Sequence, residues 1–218
     1  MTRAPLACGV IFDLDGTLCN TLGDIAHAVN RALQRVGRPT HPVEAYGQWV
    51  GWGLRKLCQT ALGVDEGEQF DRMYELAVAE YNTFPMERSY PYPGICELLD
   101  VLAERQIPLG VASNKPHAFA AKIIETMYAR WSFVKVAGYQ EDVPRKPDPA
   151  SVLAIAVEMN LPAEQIALVG DSTVDMETAR NAGMIPIGVS WGFRGPDELD
   201  QATRIINHPA ELLDLVRS

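Results

Sequence analysis

Near the start of the chain, a short run of apolar residues ends in two acidic side chains. Val10-Ile11-Phe12 is followed directly by Asp13-Leu14-Asp15-Gly16-Thr17. A continuous apolar run of this length is typical of a buried strand. Carboxylates at its end are costly to bury unless they are paired, hydrogen-bonded or bound to a metal. The pattern predicts a buried strand that ends in reactive carboxylates, although Asp15-Gly16 is also an ordinary turn pair.

The stretch after this strand has apolar residues at helical spacing. The spacing predicts helices over Leu22–Val36, Val43–Trp49, Leu54–Leu62 and Glu68–Tyr81, with no strand among them. Prolines around Phe84-Pro85 and Ser89–Gly94 then break the helical pattern. We therefore expect an all-helical domain whose two linkers lie near Gly16–Asn20 and near Pro85–Pro93.

Beyond the second linker, short apolar runs alternate with helical segments. The runs predict strands over Leu109–Ala112, Phe133–Ala137, Ile166–Val169 and Ile185–Val189. The segments between and after them predict helices over Ala118–Tyr128, Pro149–Met159, Val174–Ala182 and Pro209–Val216. Such alternation is typical of parallel strands joined by crossover helices. The predicted fold class is α/β: residues 1–16 and 90–218 form a doubly wound, Rossmann-like parallel-sheet core, and residues 17–89 form an inserted all-helical cap domain.

Polar residues follow two of the later strands at the point where each strand ends. Ser113-Asn114-Lys115-Pro116 follows one strand, and Gly170-Asp171-Ser172 follows another, with Asp175 one helical turn further on. Between them, Lys146 precedes a predicted helix. Because the carboxyl ends of parallel strands open onto one crevice, we expect seven side chains to meet there: Asp13, Asp15, Ser113, Asn114, Lys146, Asp171 and Asp175. Lys115 is expected to lie at the entry of a solvated helix.

The charge of this set favours a metal and a phosphate. Four carboxylates and one lysine leave the crevice with three net negative charges. Mg²⁺ prefers oxygen ligands and commonly bridges carboxylates to a substrate phosphate. It would offset the negative charge, so that a phosphate dianion could approach, and it would stabilise charge during phosphoryl transfer. The pattern therefore predicts a Mg²⁺ site at the ends of these strands.

Composition narrows the class of partner. The formal net charge of −9 argues against nucleic acid, whose phosphates need Lys and Arg. No apolar run is long enough to cross a membrane, and residues 1–7 lack a secretory apolar segment, so we expect a cytoplasmic protein. Four widely spaced cysteines form no metal-binding pattern and indicate small apolar residues in a reducing compartment.

The motifs occur in the order in which they are found in haloacid-dehalogenase superfamily phosphatases. They are Asp13-Leu14-Asp15-Gly16-Thr17, Ser113-Asn114, Lys146, and Gly170-Asp171-Ser172 with Asp175. The chain resembles the phosphoglycolate-phosphatase-like branch of that superfamily. The flanks Tyr92-Pro93-Gly94 and Lys146-Pro147-Asp148-Pro149 are similar too, and the resemblance covers nearly the whole chain, including the cap.

The resemblance implies a role for each motif in phosphate-ester hydrolysis. Asp13 would attack the substrate phosphorus and become an aspartyl-phosphate. Asp15 would protonate the leaving oxygen and then deprotonate the water that hydrolyses the intermediate. Ser113 and the amide of Asn114 would hold phosphate oxygens, and Lys146 would offset the charge on the phosphate and on Asp13.

The resemblance also implies the metal ligands and the class of substrate. Mg²⁺ would be held by Asp171, the Asp13 carboxylate and the backbone carbonyl of Asp15, with Asp175 orienting the ligand shell directly or through water. The substrate would be a small phosphorylated metabolite, with 2-phosphoglycolate a candidate. The enzyme would be a monomer or a homodimer.

The cap sequence leaves the specificity and the reaction type open. Two glycines flank Trp52, which suggests a loop that closely approaches another part of the molecule. Arg55 either binds a substrate carboxylate or shares a solvated helix face with Lys56. Two further reactions fit the motifs: a sugar-phosphate mutase would keep all of them, and a phosphonate hydrolase would use a cap lysine such as Lys56. A phosphate-binding regulatory module is the alternative without catalysis, but it would need neither Asp15 nor Lys146.

Overall fold

The structure is a computed structural model that describes residues 6–83 and 86–217, so Phe84-Pro85 of the predicted linker lie outside the described residues. The strands are β1 (Gly9–Phe12), β2 (Cys19–Asn20), β3 (Tyr90–Pro91), β4 (Leu109–Pro116), β5 (Lys135–Tyr139), β6 (Ile166–Gly170), β7 (Ile185–Val189) and β8 (Arg204–Ile206). One sheet has the strand order β5-β4-β1-β6-β7-β8, and its neighbouring strands all pair in parallel. The predicted α/β core is confirmed.

Helices cover both faces of this sheet. The helices are α1 (Leu22–Arg35), α2 (Leu54–Leu62), α3 (Glu68–Thr83), α4 (Ile95–Glu104), α5 (His117–Met127), α6 (Ala150–Met159) and α7 (Thr173–Ala182). Alternate residues of β1 point to opposite faces, as strand geometry requires. Val10 and Phe12 join an apolar cluster with residues of α4 and α5, whereas Ile11 joins one with residues of α6 and α7.

The topology places the end of β1 where the chain order reverses. β1 lies between β4 and β6, and the later strands extend outward on either side of it. Such a switch point opens a crevice beyond the carboxyl ends of the strands, where ligands of α/β proteins bind. Asp13, which follows β1 directly, stands at this point.

The segment between β2 and β3 is helical and has an apolar cluster of its own. Residues of α1, α2 and α3 form this cluster together with Tyr46 from a 3-10 helix, Val43–Gln48. Buried Glu80 of α3 binds Arg31 and Arg35 of α1 at 2.7 and 3.1 Å, which fixes the two helices to each other. The limits of the cap at residues 17 and 89 stay a prediction.

Several elements differ from the sequence predictions. Each predicted linker contains a short strand that the sequence did not indicate: β2 and β3 pair antiparallel, with Cys19 opposite Pro91. β4 runs on through Pro116, so the polar residues after Ala112 belong to the strand. The closing helix is a 3-10 helix, Pro209–Asp214. Neither α4 nor β8, a three-residue strand at the edge of the sheet, was predicted from the sequence.

Candidate active site

Asp13 and Lys146 form a buried ion pair at the end of β1. The Asp13 amide donates to the carbonyl of Val169 at 2.8 Å, which continues the pairing of β1 with β6. Its Oδ1 accepts a hydrogen bond of 2.8 Å from Lys146 Nζ. The same ammonium donates to Asp175 Oδ1 at 2.7 Å and to the Ala112 carbonyl at 2.9 Å. An ammonium has three hydrogens, so these three acceptors fix Lys146 completely.

Asp13 and Asp171 are buried, and burial shifts the pKa values of both carboxyl groups. Burial raises the pKa of Asp13 to about 7, with Lys146 acting in the opposite direction and Asp175 adding to the rise. Burial also raises the pKa of Asp171 well above its usual value, and Asp175 and Asp13 raise it further. At neutral pH and without a bound cation, Asp13 and Asp171 are therefore protonated to a greater extent than free aspartates would be.

Asp13, Asp171 and Asp175 are arranged as oxygen ligands for a cation. One carboxylate oxygen from each lies within 4.8 Å of the others, and all three residues are buried. Asp171 Oδ2 accepts from the Phe193 amide at 2.7 Å. The backbone reaches this carboxylate closely, because a Cβ at Gly16 or Gly192 would lie 2.3 Å from Asp171 oxygens. Three buried carboxylate oxygen donors fit Mg²⁺ and do not fit the nitrogen and sulfur preference of Zn²⁺.

Asp175 is held by more groups than Asp171. Its Oδ1 binds Lys146, and its Oδ2 accepts from the Ser172 hydroxyl at 2.6 Å and from the Ser172 amide at 3.2 Å. These contacts form a capping box at the start of α7. Asp175 therefore links the helix N-terminus to Lys146, a geometry that suits orienting other groups.

Lys115 was expected to be solvated, and that expectation is wrong. Its side chain is only 4% exposed, and Nζ binds Oδ1 and Oδ2 of Asp15 at 2.9 and 3.0 Å. The Asp15 carboxylate also accepts from the Thr21 hydroxyl at 2.5 Å. Since β4 continues past Ser113, Lys115 stays in the strand and turns into the crevice instead of entering a helix.

Ser113 and Asn114 lie where the sequence predicts them, at the bottom of the same crevice. Both are buried. The Asn114 amide group donates to the carbonyls of Lys146 and Gly51, each at 2.9 Å, and its Oδ1 accepts from the Lys146 amide at 2.9 Å. Asn114 thus fixes the loop that carries Lys146 and the cap loop around Gly51 to β4, while the Ser113 hydroxyl accepts a hydrogen bond of 3.3 Å from the Lys115 amide.

One pocket joins all the predicted core residues to the cap. Its lining includes Asp13, Asp15, Ser113, Asn114, Lys146, Asp171 and Asp175. The cap side is largely apolar and includes Ile25, Val50, Leu54, Leu57 and Tyr81, with Phe119 and Phe193 from the core. The residues predicted from the sequence therefore form the strand-end side of the pocket, and most of the apolar cap side was not predicted.

The structure does not bring Arg55 and Lys56 into this pocket. The Arg55 guanidinium lies over the rings of Phe70 and Tyr74, 4.7 and 5.6 Å from their centres. Lys56 is exposed and faces Asp65 at 3.8 Å. Because a Schiff-base lysine must touch its substrate, this placement of Lys56 weighs against the phosphonate hydrolase.

Arg194 lines the pocket but was not among the site residues predicted from the sequence. Its guanidinium donates to Glu198 and to the carbonyl of Val50 in the cap loop, both at 2.6 Å. Its position in Trp191-Gly192-Phe193-Arg194-Gly195, directly after β7, was the available signal. The cap loop that contains Val50 and Gly51 is therefore held to the core by two hydrogen bonds. Arg194 donates to the carbonyl of Val50, and Asn114 donates to the carbonyl of Gly51.

Comparisons with known proteins agree with this architecture. The family model described as haloacid dehalogenase-like hydrolase matches residues 10–189. Phosphoglycolate phosphatases are among the relatives: that of Psychrobacter arcticus is 30% identical over 213 residues, 94% of this chain and 90% of that protein. That of Pseudomonas putida is 32% identical over 196 residues, covering 88% and 72% of the two chains. The crystal structure of a predicted phosphoglycolate phosphatase from Haemophilus somnus superposes with a TM-score of 0.86 at 27% identity, covering 95% and 96%.

A parallel α/β core, a helical cap and strand-end carboxylates around a buried lysine define a capped hydrolase. The chain belongs to the haloacid dehalogenase-like hydrolase family. Within that family it is a phosphatase, and it is similar to the phosphoglycolate phosphatases.

Proposed function

We propose that the protein is a Mg²⁺-dependent phosphomonoester hydrolase that works through an aspartyl-phosphate on Asp13, with 2-phosphoglycolate as its substrate. The observation that carries the proposal is the buried arrangement around Asp13. Lys146 binds it at 2.8 Å, two further carboxylates lie within 4.8 Å, and Asp15 faces the same pocket. A nucleophile, a second acid and a cation-binding set are what covalent phosphoryl transfer needs.

The first half of the reaction uses Asp13 and its fixed surroundings. Lys146 holds one oxygen of the Asp13 carboxylate, which leaves the other to attack the substrate phosphorus. Ser113, at the bottom of the pocket, donates to a phosphate oxygen, and Lys146 offsets the charge that gathers there. Asp13 and Asp171 would hold Mg²⁺, whose positive charge would favour the ionised form of Asp13 and stabilise charge on the transferring phosphoryl group.

Asp15 acts in both halves of the reaction. A protonated Asp15 gives its proton to the ester oxygen of the leaving group, and the resulting carboxylate then takes a proton from the attacking water. The ion pair with Lys115 and the hydrogen bond from Thr21 hold the Asp15 carboxylate in one orientation. The same residue can therefore serve both steps without moving away from the reacting atoms.

The names of the relatives support 2-phosphoglycolate as the proposed substrate. The localisation, oligomeric state and partners of the protein remain predictions. Phosphoglycolate phosphatases that span most of this chain suggest a small carboxylate-bearing ester. Among the described residues, no helix has the length and apolar character that a membrane span needs. The predictions of a cytoplasmic protein, of a monomer or homodimer, and of no nucleic-acid partner stand as proposals.

The decisive experiment is phosphate release from a panel of small esters in the presence of Mg²⁺. We expect the highest kcat/KM for 2-phosphoglycolate, above sugar phosphates and neutral esters. A mutase would return the phosphoryl group to a second hydroxyl of a sugar phosphate and release little inorganic phosphate. A regulatory module would bind esters without turnover, so the panel separates all three functions.

Asp15→Asn should slow the enzyme by about 10²- to 10⁴-fold on alkyl esters, because the leaving oxygen loses its proton donor. The decrease in the rate of the first step should be smaller for p-nitrophenyl phosphate, because its leaving group needs little protonation. We expect a rapid burst of p-nitrophenol followed by a stall, because the variant also lacks the base for the second step. Stopped-flow absorbance measures the burst. Equally slow first steps with both kinds of ester would count against the acid role.

A further inference from the structure

Lys115 stands beside the place that the leaving group of a substrate must occupy. We propose that Lys115 is a specificity-determining residue, whose ammonium binds a carboxylate on the leaving group. The inference rests on the proposed function, because it requires Asp15 to lie at the ester oxygen of the substrate. It concerns the recognition of the ester and is separate from the identity of the nucleophile.

The distances favour this contact. Lys115 Nζ lies 2.9 Å from Asp15 Oδ1. A proton donor works from about 2.6 to 3.2 Å away from the oxygen that it protonates. In phosphoglycolate the carboxylate carbon lies only two bonds, each about 1.5 Å, beyond that oxygen. A leaving group whose oxygen is held by Asp15 therefore brings its carboxylate within reach of the Lys115 ammonium.

The surroundings keep Lys115 charged and in place. Burial works against the ammonium, but Asp15 and Tyr81 outweigh it and raise the pKa of Lys115 above its usual value. Nζ lies 5.0 Å from the centre of the Tyr81 ring, which belongs to α3 of the cap. Lys115 therefore lies between the catalytic acid and the cap, where a leaving group is enclosed.

Among the described residues, two other cationic side chains line the pocket, and both already donate hydrogen bonds to protein acceptors away from Asp15. They are Lys146 and Arg194. Lys146 donates to three acceptors beneath the phosphate position. Arg194 donates to Glu198 and to the Val50 carbonyl, and the amide of its neighbour Phe193 binds Asp171. Lys115 is therefore the lining cation that directly contacts Asp15.

The apolar wall of the cap strengthens the case for a single charged handle. Val50, Leu54 and Leu57 offer no hydrogen bonds from their side chains to a ligand. A sugar enclosed against them would leave hydroxyls without partners, and a carboxylate would be costly to bury without a cation. The pocket suits a short ester whose one remaining polar group is an anion held by Lys115.

The test compares two substrates that differ only in the carboxylate, 2-phosphoglycolate and ethyl phosphate. Lys115→Met and Lys115→Gln should lower kcat/KM for phosphoglycolate about 10- to 100-fold more than for ethyl phosphate, the scale of one charge-assisted hydrogen bond. Lys115→Arg keeps the charge and should largely retain the preference. Lys122→Met, the same change on exposed residue 122 of α5, is the matched control. Circular dichroism and thermal unfolding show that each variant is folded.

Three outcomes would overturn the inference. Equal losses on both esters would show that Lys115 only positions Asp15. A selective loss in Arg194→Met or Arg55→Met, with none in the Lys115 variants, would place the carboxylate handle on that arginine. The proposed substrate can fail without the inference about Lys115. A wild-type preference for another carboxylate-bearing ester would refute phosphoglycolate as the substrate, and the same comparison would then use that ester and its neutral counterpart. A wild-type enzyme indifferent to the carboxylate would overturn both.

Discussion

Asp13→Asn is expected to abolish turnover of every phosphate ester, with a loss on the order of 10⁴- to 10⁶-fold in kcat, the range seen when an enzymatic nucleophile is removed. The change keeps the shape of the side chain, and the amide oxygen can still accept the hydrogen bond from Lys146. It removes the charge that attacks phosphorus and one of the three oxygen ligands for a cation. Phosphate release under saturating substrate measures the effect.

A trapping experiment separates the loss of the nucleophile from general damage. Wild-type protein quenched in acid during turnover with phosphate-labelled substrate should carry label, and the Asp13→Asn protein should carry none. Asp142→Asn, the same substitution at an exposed position outside the pocket lining, should leave both readouts unchanged. Label that remained on the Asp13→Asn protein would place the covalent intermediate on another residue.

The core of the fold could be predicted because its signals are local. Apolar runs such as Ile166–Val169 are short, continuous and bounded by polar residues, so they indicate buried strands. β8 escaped because two of its three residues are exposed at the sheet edge, and a weakly apolar run of three has no periodicity to detect. β2 and β3 escaped because their pairing joins residues about 70 positions apart, which no local pattern reports.

The meeting of the strand-end residues in one crevice could be predicted because it follows from topology. Once parallel strands are inferred, their carboxyl ends must meet, and Asp13 and Asp171 are placed together. Lys115 could not be assigned in this way. Its burial depends on a partner, Asp15, that lies 100 residues earlier in the chain. Arg55 illustrates the same limit, since the rotation of α2 against α3 decides whether its guanidinium meets a substrate or the ring of Phe70.

Removal of divalent cations is expected to abolish activity and to make stability depend on pH. The pKa of Asp13 in the folded chelated protein is about 7, raised by burial from 3.8, and the pKa of Asp171 is also raised. A raised pKa means that folding favours the protonated form. Stability should therefore fall as the pH rises from about 4 to about 7, and thermal unfolding in a chelator measures this.

Added Mg²⁺ should reverse that loss, because a cation favours the ionised carboxylates. The rise in Tm on adding Mg²⁺ should thus be small near pH 5 and larger near pH 8, where each 1 kcal/mol corresponds to about 2 to 4 °C in a protein of this size. Asp171→Asn should raise Tm in the chelator, because it removes one buried charge, and should diminish the response to Mg²⁺. Asp142→Asn should behave like the wild type. A chelated enzyme that stayed fully active, or a Tm response to Mg²⁺ unaltered by Asp171→Asn, would show that these carboxylates do not hold the metal, since both results depend on the same three oxygen ligands.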